Sequence, residues 1–186
     1  MSVPHVLIAT DVFGATPAVE NLVRQFAFPC LVISPFEEER PVRNEQQAYQ
    51  RFLSEGGLTA YTQKISQVLQ DPEQSIRHVI GFSSGASALW LACAKHAQSL
   101  ASATLFYGSR IRDFKKSQPQ CPTHLIFAEH DVGYQPVELV TELKQQGHQA
   151  EIARGTAHGF MNPYSAGFSL KTQTKYEDWL IQQVRS

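Results

Sequence analysis

The sequence lacks a long hydrophobic run, a marked excess of either charge and the cysteine pattern of a disulfide framework. No apolar stretch approaches the ~20 residues that a membrane-spanning helix needs, and no signal-peptide pattern opens the chain, so no membrane association is expected. The net charge is −1 and Lys and Arg are scattered, which argues against a nucleic-acid partner. The three cysteines, at positions 30, 93 and 121, are interpreted as reduced thiols of a cytoplasmic protein.

Short, nearly continuous apolar runs alternate with amphipathic helical patterns along the chain. No internal repeat or linker divides the sequence, so one domain is predicted over residues 1–186. Buried strands that alternate with helices indicate a parallel sheet covered on both faces, a three-layer α/β/α fold. The predicted strands are 3–10, 30–33, 76–82, 103–107, 124–128 and 149–153. The first predicted helix has its N-cap at Thr16, and five further helices are predicted at 45–54, 58–70, 84 to about 96, 136–146 and 169–185.

The segment Gly81-Phe82-Ser83-Ser84-Gly85 follows a predicted strand and precedes a predicted helix. A serine between glycines in this context is typical of a nucleophile elbow, a strained turn that lifts the hydroxyl out of the sheet. Cβ atoms at positions 81 and 85 would clash with the crossing strand and helix, which explains the glycines. Free N–H groups at the start of the helix can stabilise negative charge beside the serine. The alternative is an ordinary Gly/Ser-rich turn.

A nucleophilic serine needs a general base and an acid that orients the base, here expected in the chain order Ser, acid, His. His158 directly follows the last predicted strand and is the predicted base. Asp131 follows the preceding strand and is the predicted acid, with Glu129 as the alternative. A metal site at Glu129-His130-Asp131 is not expected, because adjacent residues of a strand point to opposite faces. Ser83, Asp131 and His158 together predict a catalytic triad at the carboxyl edge of the sheet.

These pieces and several others occur in the order found in a known family. The chain resembles the dienelactone hydrolase family, which has the α/β-hydrolase fold, here in a minimal form with about six mostly parallel strands. The matching pieces are Asp11-Val12-Phe13-Gly14, Ser34-Pro35, Gly81-Phe82-Ser83-Ser84-Gly85, Tyr107-Gly108, the Glu129/Asp131 turn and Ala157-His158-Gly159-Phe160.

The resemblance implies roles for further residues. It implies that the backbone amides of Val12 and Ser84 form the oxyanion hole and that Asp11, an acidic residue of the family pattern, tunes the nucleophile. Family members bind anionic substrates through arginines, and Arg110 is the best placed here. No cofactor and no metal are implied.

Two departures from the family pattern change the expected activity. The namesake enzyme carries a cysteine nucleophile, whereas this chain has Ser83, which favours a general hydrolase of small carboxylic esters, thioesters or lactones. The chain also begins at what is usually the third strand, so the N-terminal hairpin is expected to be missing. The resulting edge strand could pair with a second copy, so a monomer or a homodimer is expected.

The substrate is less well defined by the sequence. Several apolar residues are candidates for lining an acyl pocket and are equally compatible with ordinary core positions: Phe13, Phe36, Tyr107, Phe160 and Met161. Arg43, Arg110 and Arg112 could bind a carboxylate or be solvated surface arginines. The helices over 44–70 could form a lid. A non-catalytic binding protein that keeps the fold is the alternative function.

Overall fold

The computed structural model describes residues 5–40, 42 and 44–185, and in that part of the chain six parallel strands form one sheet. The strands are β1 (Val6–Ala9), β2 (Cys30–Ile33), β3 (His78–Phe82), β4 (Ser102–Phe106), β5 (Thr123–His130) and β6 (Gln149–Ala157). The helices are α1 (Pro17–Gln25), α2 (Glu45–Ser54), α3 (Gly57–Gln70), α4 (Ser84–Cys93), α5 (Pro136–Gln145) and α6 (Leu170–Arg185), with a short 3-10 helix at Ser109–Asp113.

The sheet separates two apolar cores, one on each face. Its strand order is β2-β1-β3-β4-β5-β6. Alternate residues of β1 point to opposite faces, so that Leu7 joins the core under α2 to α5, while Val6 and Ile8 join the core under α1 and α6. The predicted three-layer α/β/α fold is therefore confirmed. No helix in the described part of the chain is long and apolar enough to cross a membrane.

Two strands extend beyond their predicted ends, and this extension positions the site. β5 continues to His130 and β6 to Ala157, with a register shift between Ala128 and His130 where the pairing resumes at Ala157. The end of β6 contains Arg154, Gly155 and Thr156, which do not have the composition of a buried strand. Edge position explains this composition, because β6 has a neighbour on one side only.

Helix α4 is shorter than predicted. The apolar pattern predicts a helix to His96, but regular helix ends at Cys93. The Cys93 carbonyl accepts a hydrogen bond from the Gln120 N–H at 3.1 Å instead of continuing the helical ladder. The Lys95 and His96 N–H groups still donate to the Ala92 carbonyl, so the chain continues as an irregular last turn while the Cys93 carbonyl pairs with a distant loop.

Candidate active site

Ser83 occupies a strained turn between β3 and α4. Its backbone angles are φ 51° and ψ −110°, in a region that side chains other than glycine rarely adopt. Two hydrogen bonds hold this conformation: the Ser83 N–H donates to the Phe106 carbonyl at 2.9 Å, and the Ser83 carbonyl accepts from the Ser87 N–H at 3.0 Å. The strain places the Ser83 hydroxyl on the wall of an open cleft.

The glycines on either side of Ser83 are required by close contacts with the backbone. A Cβ at Gly81 would lie 2.7 Å from the Cα of Ala86 in α4. A Cβ at Gly85 would lie 2.3 Å from the carbonyl oxygen of Ala9 and 2.5 Å from that of Thr10, at the end of β1. The steric prediction from the sequence is confirmed: one glycine admits the helix and the other admits the neighbouring strand.

Three side chains from separate strands form a continuous hydrogen-bonded chain. Ser83 Oγ lies 2.8 Å from His158 Nε2, and His158 Nδ1 lies 2.9 Å from Asp131 Oδ2. The Asp131 side chain is 6% exposed and that of His158 is 26% exposed, so the carboxylate is shielded while the imidazole reaches the cleft. In this arrangement His158 can accept the serine proton and Asp131 can stabilise the resulting imidazolium.

Pairing of β5 with β6 brings the acid and the base together. The backbone N–H of His158 donates to the His130 carbonyl at 3.1 Å, so the base lies beside the residue that precedes the acid. The Tyr107 ring packs edge-on against the imidazole, with 5.1 Å between ring centroids. Tyr107 itself has a φ of 39° at the end of β4, and its burial raises the pKa of its hydroxyl.

Two further donors fix the Asp131 carboxylate. The Val132 N–H donates to Oδ1 at 2.7 Å, and the Tyr134 hydroxyl donates to Oδ2 at 3.2 Å. Burial, followed by the Asp131 charge, raises the pKa of Tyr134 well above its ordinary value, so the phenol keeps its proton and remains a donor. The Arg112 guanidinium stacks over the Tyr134 ring at 4.8 Å. Sequence reasoning missed Tyr134, although its place three residues after the predicted acid is a usable signal.

Glu129, the alternative acid, is bonded elsewhere. Its carboxylate accepts from Arg154 Nη1 at 2.8 Å and from the Gly155 N–H at 2.6 Å. The Arg154 hydrogen bond lowers the pKa of Glu129. Its carboxylate therefore pairs with groups of β6 and not with His158, whereas Asp131 contacts the imidazole directly.

The loop after β1 contributes Val12 to the lining of the cleft. Val12 lines the cleft, and neither its N–H nor that of Ser84 donates to an acceptor among the described residues. Asp11 shapes this loop, because its Oδ1 accepts from the Phe13 N–H at 2.9 Å and its Oδ2 accepts from Asn162 Nδ2 at 2.6 Å. Burial, which exceeds the effect of these donors, raises the pKa of Asp11.

The cleft has a volume of about 990 Å³ and extends from Ser83 to the helices α2 and α3. On the helical side it is bounded by Tyr49, Phe52, Leu53 and Leu58, four residues that we call the apolar wall. Sequence reasoning held that this segment could form a lid, and it did not place these residues in the site. Their helical spacing was visible, but nothing local showed that this face meets the serine.

Several residues predicted to bind substrate lie away from the cleft. Phe13, Tyr107 and Phe160 are buried and do not line it. Asp11 and Tyr107 instead line a separate cavity of about 30 Å³ beside α1 and α6.

The predicted arginines have different surroundings. Arg110 lines the cleft, but its Nε donates to Asp113 Oδ2 at 2.6 Å. Arg112 also lines the cleft and donates to the Ser109 carbonyl at 2.8 Å. Arg43 lies outside the described residues. Within those residues no group of three or more His, Cys, Asp or Glu side chains is arranged to hold a metal ion.

A comparison of sequences finds a similar bacterial protein. No protein-family model matches the chain. The chain is 28% identical over 173 residues to the uncharacterized protein YczH of Bacillus subtilis (strain 168), covering 89% of this chain and 85% of YczH.

The similar solved structures include dienelactone hydrolases and esterases. A candidate dienelactone hydrolase of Klebsiella pneumoniae superposes with a TM-score of 0.72 at 16% identity, over 100% of this chain and 88% of that one. The dienelactone hydrolase of Anabaena variabilis gives 0.62 at 15% identity, over 97% and 87% of the two chains. Esterase PE8 gives 0.60 at 15% identity, over 97% and 93%. The chain therefore has the α/β-hydrolase fold.

Proposed function

We propose that the protein is a serine-dependent hydrolase of a small carboxylic ester, thioester or lactone and works through an acyl-enzyme. The observation that carries this proposal is the hydrogen-bonded chain from Ser83 through His158 to Asp131, with contacts of 2.8 and 2.9 Å. These separations lie within the reach that general-base catalysis requires. The similarity to structures of hydrolases adds support from the fold, while the site carries the chemistry.

The reaction proceeds in two steps. Ser83 Oγ attacks the carbonyl carbon as His158 Nε2 takes its proton, and Asp131 stabilises the imidazolium. The N–H groups of Val12 and Ser84 bind the oxyanion, and the loss of one such donor typically raises the barrier by about 3–4 kcal/mol. His158 then returns the proton to the leaving alcohol or thiol, and the ester bond breaks. In the second step, His158 activates water, which hydrolyses the acyl-serine and regenerates Ser83.

A fluorophosphonate label and a panel of esters test the proposal. The purified protein should be labelled at Ser83 and should hydrolyse at least one ester of the panel, while Ser83→Ala should lose labelling and about 10³-fold or more of the activity. Ser99→Ala, which removes an exposed serine beyond the C-terminal end of α4, is the matched control and should retain both. A wild-type protein that resists the label and hydrolyses no ester would contradict the proposal.

A non-catalytic binding protein with the same fold is the other candidate. It would require His158 to be turned away from Ser83, or the space between them to be filled. The direct contact between the two side chains favours the hydrolase.

We also propose that the protein acts in the cytoplasm, as a monomer or a homodimer. The three free cysteines support this location. The sheet ends in β2 and β6, and these edge strands are the surfaces through which a second copy would pair.

A further inference from the structure

Large apolar side chains on the surface concentrate around one cleft. Among the described residues, six large hydrophobic side chains are exposed: Tyr49, Leu53, Val132, Val137, Tyr164 and Leu170. Three of the six, Tyr49, Leu53 and Val132, line the cleft that contains Ser83. On ordinary surfaces, exposed hydrophobic residues are scattered singly. A cluster of them marks a surface that is covered when a ligand binds.

The two sides of the cleft differ in their relation to the reaction. His158 and Val132 follow β6 and β5, at one end of the strand order, whereas α3 packs against α4 and bonds through Tyr61 to the ends of β1 and β2, on the other side of Ser83. The leaving group must depart beside His158, because Nε2 protonates it. The acyl group extends from the same carbonyl carbon in another direction, away from the imidazole. The apolar wall therefore faces the acyl side of the bound ester.

The apolar wall is anchored by one buried residue, and the two guanidinium groups beside it share Asp113. Phe52 is 5% exposed and packs against the rings of Tyr49 and Tyr61, at centroid distances of 6.2 and 6.3 Å. The two guanidinium groups in the cleft, those of Arg110 and Arg112, already have protein partners. A substrate carboxylate would compete with these partners, whereas an apolar chain would bury the wall without breaking an ion pair.

We infer that the acyl group of the substrate is a neutral, medium-length apolar chain that packs on the apolar wall. This inference rests on the proposed function and adds the class of acyl group. The volume of about 990 Å³ is far larger than an acetyl group requires and is in the range of sites for larger ligands.

A chain-length series measures the inference directly. The wild-type protein should hydrolyse p-nitrophenyl hexanoate and octanoate with a higher kcat/KM than p-nitrophenyl acetate. In Leu53→Ser and Tyr49→Ser, the ratio of octanoate to acetate kcat/KM should fall about tenfold. Both side chains are about half exposed, at 53% and 45%, so these changes spare the core. Leu170→Ser and Val137→Ser alter exposed apolar residues away from the cleft and should leave the ratio unchanged.

A second ester series separates the acyl side from the alcohol side. Acetate esters of alcohols of increasing length should show the same relative rates in Leu53→Ser as in the wild-type protein. If Leu53→Ser alters the alcohol series and not the acyl series, the assignment of the wall is wrong. A wild-type preference for acetate over octanoate would also overturn the inference while leaving the hydrolase proposal intact. Failure to hydrolyse any ester would instead count against the proposed function.

Discussion

The carboxyl edge of the sheet and the apolar wall bound the same cleft, but they are held in place in different ways. At the sheet edge, His158 and Asp131 each have two or more hydrogen-bond partners, and Ser83 sits in a strained turn with its hydroxyl bonded to His158. The apolar wall projects from two surface helices, and its outer members Tyr49 and Leu53 are about half exposed. The edge is therefore built for fixed geometry, and the wall for apolar contact.

The difference predicts where the protein tolerates substitution. Catalysis needs groups held within a fraction of an ångström, which hydrogen-bonded and packed positions provide. Binding an apolar group needs contact area, which several side chains can supply. Changes at the edge should abolish activity on all esters, whereas changes in the wall should alter selectivity between them.

The largest effect is expected from Gly85→Ala at the sheet edge. The new methyl would lie 2.3 Å from the Ala9 carbonyl oxygen, so β1 and α4 must separate. This overpacking should cost about 1–3 kcal/mol of stability. It would also displace the Val12 and Ser84 amides and lower kcat/KM about 10²–10³-fold on every ester.

Gly57→Ala is the matched change at the start of α3, behind the wall. Gly57 has a φ of 58°. The atom nearest to a Cβ added at Gly57 would be Leu53 Cδ2, at 3.8 Å, which is an ordinary contact. We expect a loss of about 1–2 kcal/mol from the left-handed backbone alone, with kcat/KM for acetate within a few-fold of the wild type. Denaturant unfolding and ester kinetics measure both variants. Equal loss of activity in the two would remove the distinction between edge and wall.

A smaller effect is expected from Tyr134→Phe. The change removes one of the two donors on Asp131 Oδ2 and leaves the bond from the Val132 N–H to Oδ1. The carboxylate then has more negative charge available to hold the protonated imidazole. The acidic limb of the profile of kcat/KM against pH should therefore move to higher pH, with a change in maximal kcat of less than about tenfold.

Tyr164→Phe is the control for this change, because Tyr164 is 51% exposed and lies outside the cleft. Its pH profile should match that of the wild-type protein. An unshifted acidic limb in Tyr134→Phe would show that Tyr134 only fills space beside Asp131.

The smallest effect is a pH dependence of stability that arises from Asp11. Burial raises the folded-state pKa of Asp11 above its ordinary value of 3.8, so the folded protein holds this proton more tightly than the unfolded chain. The stability contributed by Asp11 is thus complete below pH 3.8 and is lost as the pH rises through the raised pKa. Each unit of the shift corresponds to about 1.4 kcal/mol.

Urea unfolding of the wild-type protein and of Asp11→Asn between pH 4 and 8 measures this dependence of stability on pH. The unfolding free energy of the wild type, relative to the variant, should decrease with rising pH and then level off. Asp178→Asn changes an exposed carboxylate and should show little slope. A difference that increases with pH would mean that the donors from Phe13 and Asn162 outweigh burial.

Much of the fold could be predicted because its signals are local. The apolar run at 30–33 matches β2, and the start of α1 follows from Pro17 in the first turn. Boundaries failed where distant contacts decide them. The polar end of β6 is a strand because it pairs with β5 beyond a bulge, and α4 stops where the Gln120 N–H reaches the Cys93 carbonyl.

The residues of the site also divide into those that local sequence patterns reveal and those that depend on tertiary contacts. The order of Ser83, Asp131 and His158 along the chain, each after a strand, predicted that they would meet at one edge. The role of Tyr134 and the place of the apolar wall in the cleft were missed, because both depend on which face of a loop or helix turns toward the serine. Composition left Phe13, Tyr107 and Phe160 open between an acyl pocket and core positions, and the structure places them in the core, outside the cleft lining.

By itself the sequence determined the residues on which chemistry depends: a serine between two glycines, an acid and a histidine in a fixed order. It could do so because glycine spacing and strand periodicity are local consequences of backbone sterics. Only the tertiary structure decided how these groups are tuned and what surface faces them. The hydrogen bond between Asp131 and His158, the hydrogen bond between Asp11 and Asn162 and the position of α2 near Ser83 all join residues far apart in the chain, and such pairings follow from packing of the whole fold.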